Sequence, residues 1–234
     1  MMSFAVCSEK IPKEATSELY RLGYGVITLP PHPSLKDAVA CHADMIFSAL
    51  DGDVFFDRIY METYPDTVGS IVSAGGFRLI LTEDLEGVYP RDCAHNALIG
   101  ERVVAARLDA VSQEIKGAAM ESGRALVDVR QGYAACSCLL ANDALVTADE
   151  GIARALAPYC GVLKIAPGSV ILDPYDTGFI GGASGFDGLA AYFVGDISTH
   201  PDGERIISHL AAYGVAVRSL CGGELYDIGG IKFI

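Results

Sequence analysis

Tryptophan is absent from the 234 residues and basic side chains are few: 17 Lys and Arg stand against 30 Asp and Glu, a formal net charge of −13. A surface with that excess of carboxylates has no electrostatic attraction for nucleic acid or an anionic membrane, so neither is expected as a partner. A cationic ligand suits it better, although acidity also serves simply to keep an Ala- and Gly-rich chain in solution. No stretch reaches the roughly 18 uninterrupted apolar residues of a membrane span. Residues 1–10 lack the basic start and sustained apolar run of a secretory signal. The seven cysteines, Cys7, Cys41, Cys93, Cys136, Cys138, Cys160 and Cys221, are odd in number and include no Cys-x-x-Cys pair. That excludes a disulfide framework and makes a reducing cytoplasm the expected compartment. Cys136 and Cys138 alternate as on one face of a strand, with no second cluster at ligand spacing, so no metal and no cofactor are expected.

What is abundant is apolar: 51% of residues are hydrophobic, enough for an extensive core. They recur in a pattern. An amphipathic stretch ending in Gly or small residues and followed by a short apolar run occurs at 17–29, 69–81, 117–129, 152–165 and 205–217. Apolar spacing before the small residue is helical, as in Leu19 and Leu22 or Ile206 and Leu210, and the run after it is short and rich in β-branched residues. Each copy reads helix, tight turn, strand.

A second signature places an Asp or Asn just before another apolar run: Asp44, Asn96, Asp143, Asp187 and Asp227. The steps between them are 52, 47, 44 and 40 residues, the size of a unit of one helix and a few strands. Five such units bury their faces by closing around an axis. The expectation is therefore a single α/β domain over 1–234, a five-fold pseudosymmetric αβ-propeller with units near 11–57, 58–109, 110–149, 150–201 and 202–234. Equivalent positions then form a ring at one mouth, where four carboxylates need a cation, a proton or a basic side chain. The alternative for each Asx residue is to cap a turn with its own side chain. Gly178–Gly185 reads as a tight loop entering the fourth unit's inner strand, lacking any nucleotide-binding spacing.

The chain resembles the pentein superfamily, the αβ-propeller fold of guanidino-group-modifying enzymes such as arginine deiminases and amidinotransferases. Besides the repeat, three segments carry the likeness. His42-Ala-Asp44 is similar to the His-x-Asp segment of the catalytic histidine; Arg91-Asp92-Cys93 to the Arg-Asp of a substrate-binding loop; and Glu224-Leu225 before Gly229-Gly230 to the approach to the nucleophile. The resemblance implies a cysteine nucleophile, a histidine moving protons and acidic groups holding the cation. This chain departs from it. Ile231-Lys232-Phe233 follows the last Gly-Gly pair where the family has its thiol, and Leu140-Ala141-Asn142-Asp143 stands in the third unit where the family has its histidine.

The expected site is accordingly a relocated one: His42, Asp44 and Glu224 as proton-handling residues, with His42 meeting Glu224 or Asp227 across neighbouring units. Asp92, His95, Asn96, Asn142, Asp143, Asp187 and Asp227 are the expected contacts to a small guanidino- or amine-containing ligand. Any reaction would be hydrolysis or transfer at a guanidino-type C–N bond. The other reading is a non-catalytic interaction module, since the chain also resembles the ribosome anti-association factor of that superfamily. Val54, Phe55 and Phe56 are read as exposed apolar positions that would support a homodimer.

Overall fold

A computed structural model describes residues 3–234. In chain order the elements are β1 (Phe4–Ser8), α1 (Lys13–Arg21), β2 (Gly25–Leu29), α2 (Ala43–Ile46), β3 (Phe47–Leu50), β4 (Asp53–Asp57), α3 (Arg58–Thr63), α4 (Pro65–Gly75) and β5 (Arg78–Thr82). Next come β6 (Leu98–Ile99), β7 (Val103–Ala106), α5 (Gln113–Glu121), β8 (Ala125–Asp128), β9 (Cys138–Ala141), β10 (Ala144–Thr147), α6 (Glu150–Leu156), β11 (Gly161–Lys164) and β12 (Val170–Ile171). The last are β13 (Ser184–Phe186), β14 (Ala190–Phe193), α7 (Gly203–Ala212), β15 (Ala216–Ser219), β16 (Leu225–Tyr226) and β17 (Ile231–Phe233).

One pairing pattern recurs. An antiparallel hairpin is followed by a helix that crosses over to a strand parallel to the hairpin's second arm: β3–β4 with β5, β6–β7 with β8, β9–β10 with β11, and β13–β14 with β15. The remaining set has the same arrangement but is assembled from both ends of the chain. There β17 pairs antiparallel with β1, and β2 lies parallel to β1 after α1. The sequence division beginning at residue 11 differs from this because no local signal says that β17 belongs with β1.

Helix stops explain why the helix-to-strand signature was readable. Gly23, Gly76, Gly123 and Gly214 follow α1, α4, α5 and α7 with positive φ, a conformation glycine adopts without a Cβ penalty and from which the chain turns into the strand. The helix starts are held by side chains, Ser112 accepting from Ile115 N–H and Asp149 from Ile152 N–H.

The middle strand of each unit is buried on both sides, and successive side chains go to different apolar clusters. Val54 and Phe56 pack with Val6 and Leu29, whereas Phe55 packs with Val104, Ala106 and Ile115. Val103 and Ala105 then join Leu145, Ile152 and Leu156; Val146 joins Phe193 and Leu210; and Tyr192 joins Ala5, Cys7 and Leu19. Each buried Val, Leu or Phe contributes roughly 1.5–3 kcal/mol relative to exposure. Val54, Phe55 and Phe56 are thus core residues, which corrects their reading as exposed dimer positions. Among the described residues no helix is long and apolar enough to cross a membrane.

Candidate functional site

The loops leading into β3, β6, β9, β13 and β17 converge, and each is hydrogen bonded to the next. Asp44 N–H donates to Gly229 O, Gly230 N–H to Gly182 O, and Gly182 N–H to Cys136 O. Ala135 N–H donates to Asn96 Oδ1 at 2.7 Å, and Asn96 Nδ2 lies 3.3 Å from Met45 Sδ, beside Asp44 again. The close approach requires glycine: a Cβ on Gly182 would sit 1.9 Å from Asp227 Oδ1, and one on Gly229 would sit 2.1 Å from His42 Cβ.

This convergence buries His42, Asp44, Asn96, Cys136 and Asp227. Oxygen Oδ1 of Asp227 accepts from Gly229 N–H and Oδ2 from Phe179 N–H, and His42 Nδ1 faces Oδ1 at 3.7 Å. Burial pushes the Asp227 carboxyl up to about 6 against those two hydrogen bonds. Asp44 has neither carboxylate oxygen hydrogen bonded, and burial, then the Asp227 charge, raises its pKa. Burial, then the Lys10 charge, lowers His42 to about 3, so its ring is neutral near pH 7. The Cys136 thiol is pushed well above its ordinary value by burial, then by Asp44 and Asp227. Ligand atoms of His42, Asp44 and Cys136 all lie within 4.8 Å of one another.

Two hollows meet these residues. A cavity of about 280 Å³ is lined by His42, Asp92, Tyr133, Cys136, Phe179 and Asp227, with Tyr175 and Lys36 also contributing. A second hollow of about 330 Å³ is lined by residues of the first strand of each hairpin, Phe47, Leu98, Leu139, Gly185 and Lys232, and by Asp44. The Lys232 ammonium lies 5.1 Å from the centre of the Phe47 ring. Burial lowers the pKa of Lys232, and the Asp44 charge opposes that.

The expected residues divide clearly. His42 and Asp44 are together, Asp227 faces His42, Asn96 touches Cys136, and Asp92 lies in the cavity wall with Oδ2 accepting from Tyr133 O–H at 2.8 Å and Oδ1 buried without a partner. His95 is buried outside both hollows, with Nε2 2.8 Å from Thr82 Oγ1 and Nδ1 without a partner, and burial lowers it to about 4. Asn142 and Asp143 form the exposed β9–β10 turn, where Asn142 has φ 52° and Asp143 pairs with Arg102. Asp187 occupies the β13–β14 turn, accepting from Leu189 and Ala190 N–H and from the Tyr24 and Tyr192 hydroxyls. Glu224 is exposed and lines neither hollow. These placements correct the ring of equivalent Asx residues: Asp143 and Asp187 precede the second arm of their hairpins, whereas Asp44, Asn96 and Asp227 precede the first.

Sequence reasoning missed Cys136. Its available signal was its offset, two positions before β9, the same as Asn96 before β6. Cys136 and Cys138 do not share a face, since Cys138 packs in the cluster with Leu98 and Leu145 while Cys136 packs with Leu35, Ala40 and Met45.

Comparison with curated proteins finds no match. Among solved structures the chain is similar to DDAH from Pseudomonas aeruginosa, a cysteine-to-serine mutant complexed with citrulline, at 9% identity and a TM-score of 0.58 over 94% of this chain and 92% of that one. The likeness gives this chain a pentein-like α/β fold and nothing finer. A model described as a family of unknown function, DUF6873, matches residues 6–232, and the chain belongs to that family.

Proposed function

We propose that the five units close around one axis as a five-bladed αβ-propeller, and that the cavity at one mouth binds a small cationic compound carrying a guanidino or amine group. Closure is supported by the apolar clusters, which link each unit to the next and the fourth hairpin set back to the β17–β1 pair. Binding of a cation is supported above all by Asp92. Its Oδ1 is buried at a cavity wall with no donor, a cost of about 1–3 kcal/mol that a ligand N–H group would relieve. Tyr133, Tyr175 and Phe179 add aromatic rings beside it, which suit a planar cation. The citrulline bound by the DDAH structure is of a size with such a ligand. A cavity enclosed on several sides fits a small molecule better than it fits a protein surface.

Standard thiol attack on a guanidinium is not part of this reading. Lys232, not cysteine, follows Ile231 in β17, and the Cys136 thiol stays protonated because burial and two carboxylates oppose its ionisation. Citrulline or urea release from arginine by the pure protein should therefore remain at background. Calorimetric titration of metal-free protein with agmatine and arginine tests the binding itself. Saturable binding, weakened about 10-fold or more in Asp92→Asn, is the expected result, from the loss of one charge-assisted hydrogen bond. Absence of binding by either compound, or equal affinity in the variant, would overturn it.

A further inference from the structure

We infer that His42, Asp44 and Cys136 form a zinc site, three protein ligands around one Zn²⁺ where the two hollows meet, His42 and Cys136 lining the one and Asp44 the other. The three come from two units far apart in sequence, which is why no local ligand spacing announced them. Their ligand atoms lie within 4.8 Å of one another. A tetrahedral zinc with bonds of about 2.0–2.3 Å needs them roughly 3.5 Å apart, so binding would draw the three side chains together. A thiolate, an imidazole and a carboxylate together match zinc, which takes sulfur, nitrogen and oxygen alike, better than they match magnesium or calcium.

The second, independent observation is the set of polar atoms left without partners. Both oxygens of Asp44 and Nδ1 of His42 are buried and unbonded, at 5% and 3% residue exposure. So many unpaired acceptors in one place are rare in folded proteins, and a metal ion is a standard remedy. Surrounding groups have the arrangement that supports metal ligands. Asn96 Nδ2 lies 3.1 Å from Cys136 Sγ, a donor that steadies a thiolate. Binding releases the Cys136 thiol proton to solvent. The inference does not rest on the cationic-ligand reading, because it uses different atoms.

The test is metal titration of the full chain after chelator treatment, with Zn²⁺ in competition with a chromophoric chelator and with Co²⁺ as the spectroscopic probe. One Zn²⁺ per chain is expected, together with a thiolate-to-cobalt charge-transfer band and the intense visible bands of tetrahedral Co²⁺. Cys136→Ser should remove the charge-transfer band, and Asp44→Asn should weaken Zn²⁺ binding at least 10-fold. Cys138→Ser, at a thiol in another cluster, should change neither. Failure of the wild-type chain to take up one metal per chain overturns the inference whether or not the variants fold. A charge-transfer band that persists in Cys136→Ser also overturns it. Agmatine binding measured separately on metal-free protein distinguishes failure here from failure of the proposed function.

Discussion

Asn96 and Cys136 are joined by a single carboxamide: Asn96 Oδ1 accepts from Ala135 N–H at 2.7 Å and Cys136 N–H at 3.4 Å, while Nδ2 reaches Cys136 Sγ at 3.1 Å. The side chain thereby fixes both the backbone entering β9 and the direction of the thiol. Asn96→Ala leaves the half-buried Ala135 N–H and the buried Cys136 N–H without an acceptor and should cost about 1–3 kcal/mol in urea unfolding. Asn96→Asp retains the acceptor but removes the donor to sulfur and adds a charge beside Asp44. It should destabilise more than Asn96→Ala, and the opposite ranking would show that the retained acceptor outweighs the added charge.

Gly229 separates backbone strain from steric contact. Both Gly229 and Gly223 have positive φ, at 77° and 85°, so alanine at either carries a similar conformational cost of about 1–2 kcal/mol. At Gly223 nothing lies within 4 Å of the added Cβ, whereas at Gly229 it would strike His42. Gly229→Ala should therefore lose clearly more stability than Gly223→Ala and should abolish zinc and agmatine binding, which Gly223→Ala retains. Thermal unfolding and the two titrations read both effects.

The helix-to-strand repeat was legible because every copy carries its own chemistry: an amphipathic helix, a stop and a β-branched run, matching α1–β2, α4–β5, α5–β8, α6–β11 and α7–β15. The site was only half legible. An Asx before an apolar run marks a hairpin turn as readily as it marks a loop entering the hairpin, so Asp143 and Asp187 were indistinguishable from Asp44 and Asp227 until strand pairing was known. Cys136 was hidden for another reason. A buried cysteine in an apolar context is ordinarily a small hydrophobe, and only the position of His42 and Asp44 across the fold gives this one a different role.

Asp57 gives the protein an acid-sensitive joint outside the site. Its Oδ2 pairs with His32 Nε2 at 2.8 Å and accepts from Leu85 N–H, and Oδ1 accepts from Tyr60 N–H. Burial raises its pKa, but those hydrogen bonds outweigh burial and hold the carboxyl below its ordinary value. A carboxyl depressed in the folded state stabilises above the unfolded value, near pH 4, and that contribution is lost as pH falls through the folded value. Asp57→Asn should flatten the acid limb of the stability curve below about pH 4 and cost roughly 2–4 kcal/mol at pH 7. An unchanged acid limb in the variant would place the acid-labile group elsewhere.

The most searching test of the five-unit architecture concerns the chain ends. Phe4 N–H donates to Ile234 O at 2.8 Å and Ile234 N–H to Phe4 O at 2.9 Å, so β17 and β1 form a hairpin that lacks only its turn. In the other four units the turn is present, as Asn142–Asp143 is between β9 and β10. If the units are equivalent, the gap can be moved. A circular permutant that joins Ile234 to Ser3 through a short Gly-rich turn and opens between Asn142 and Asp143 should fold, because it converts one open hairpin into a closed one and the reverse elsewhere. The new ends fall in an exposed turn, and the contacts at risk there are the Asn142 Nδ2 bond to Tyr213 O, the Gly161 N–H bond to Asp143 O and an exposed ion pair worth about 0–1 kcal/mol. Its melting temperature should lie within about 5 °C of the parent, on the scale of roughly 1 kcal/mol. Deleting residues 231–234 instead removes a strand paired on both sides, with β1 and with β13, and exposes Ala5, Val6 and Cys7. That truncation should abolish cooperative unfolding. A permutant that fails to fold while the truncated chain melts cooperatively would mean that the β17–β1 pair is an appendage rather than the fifth unit.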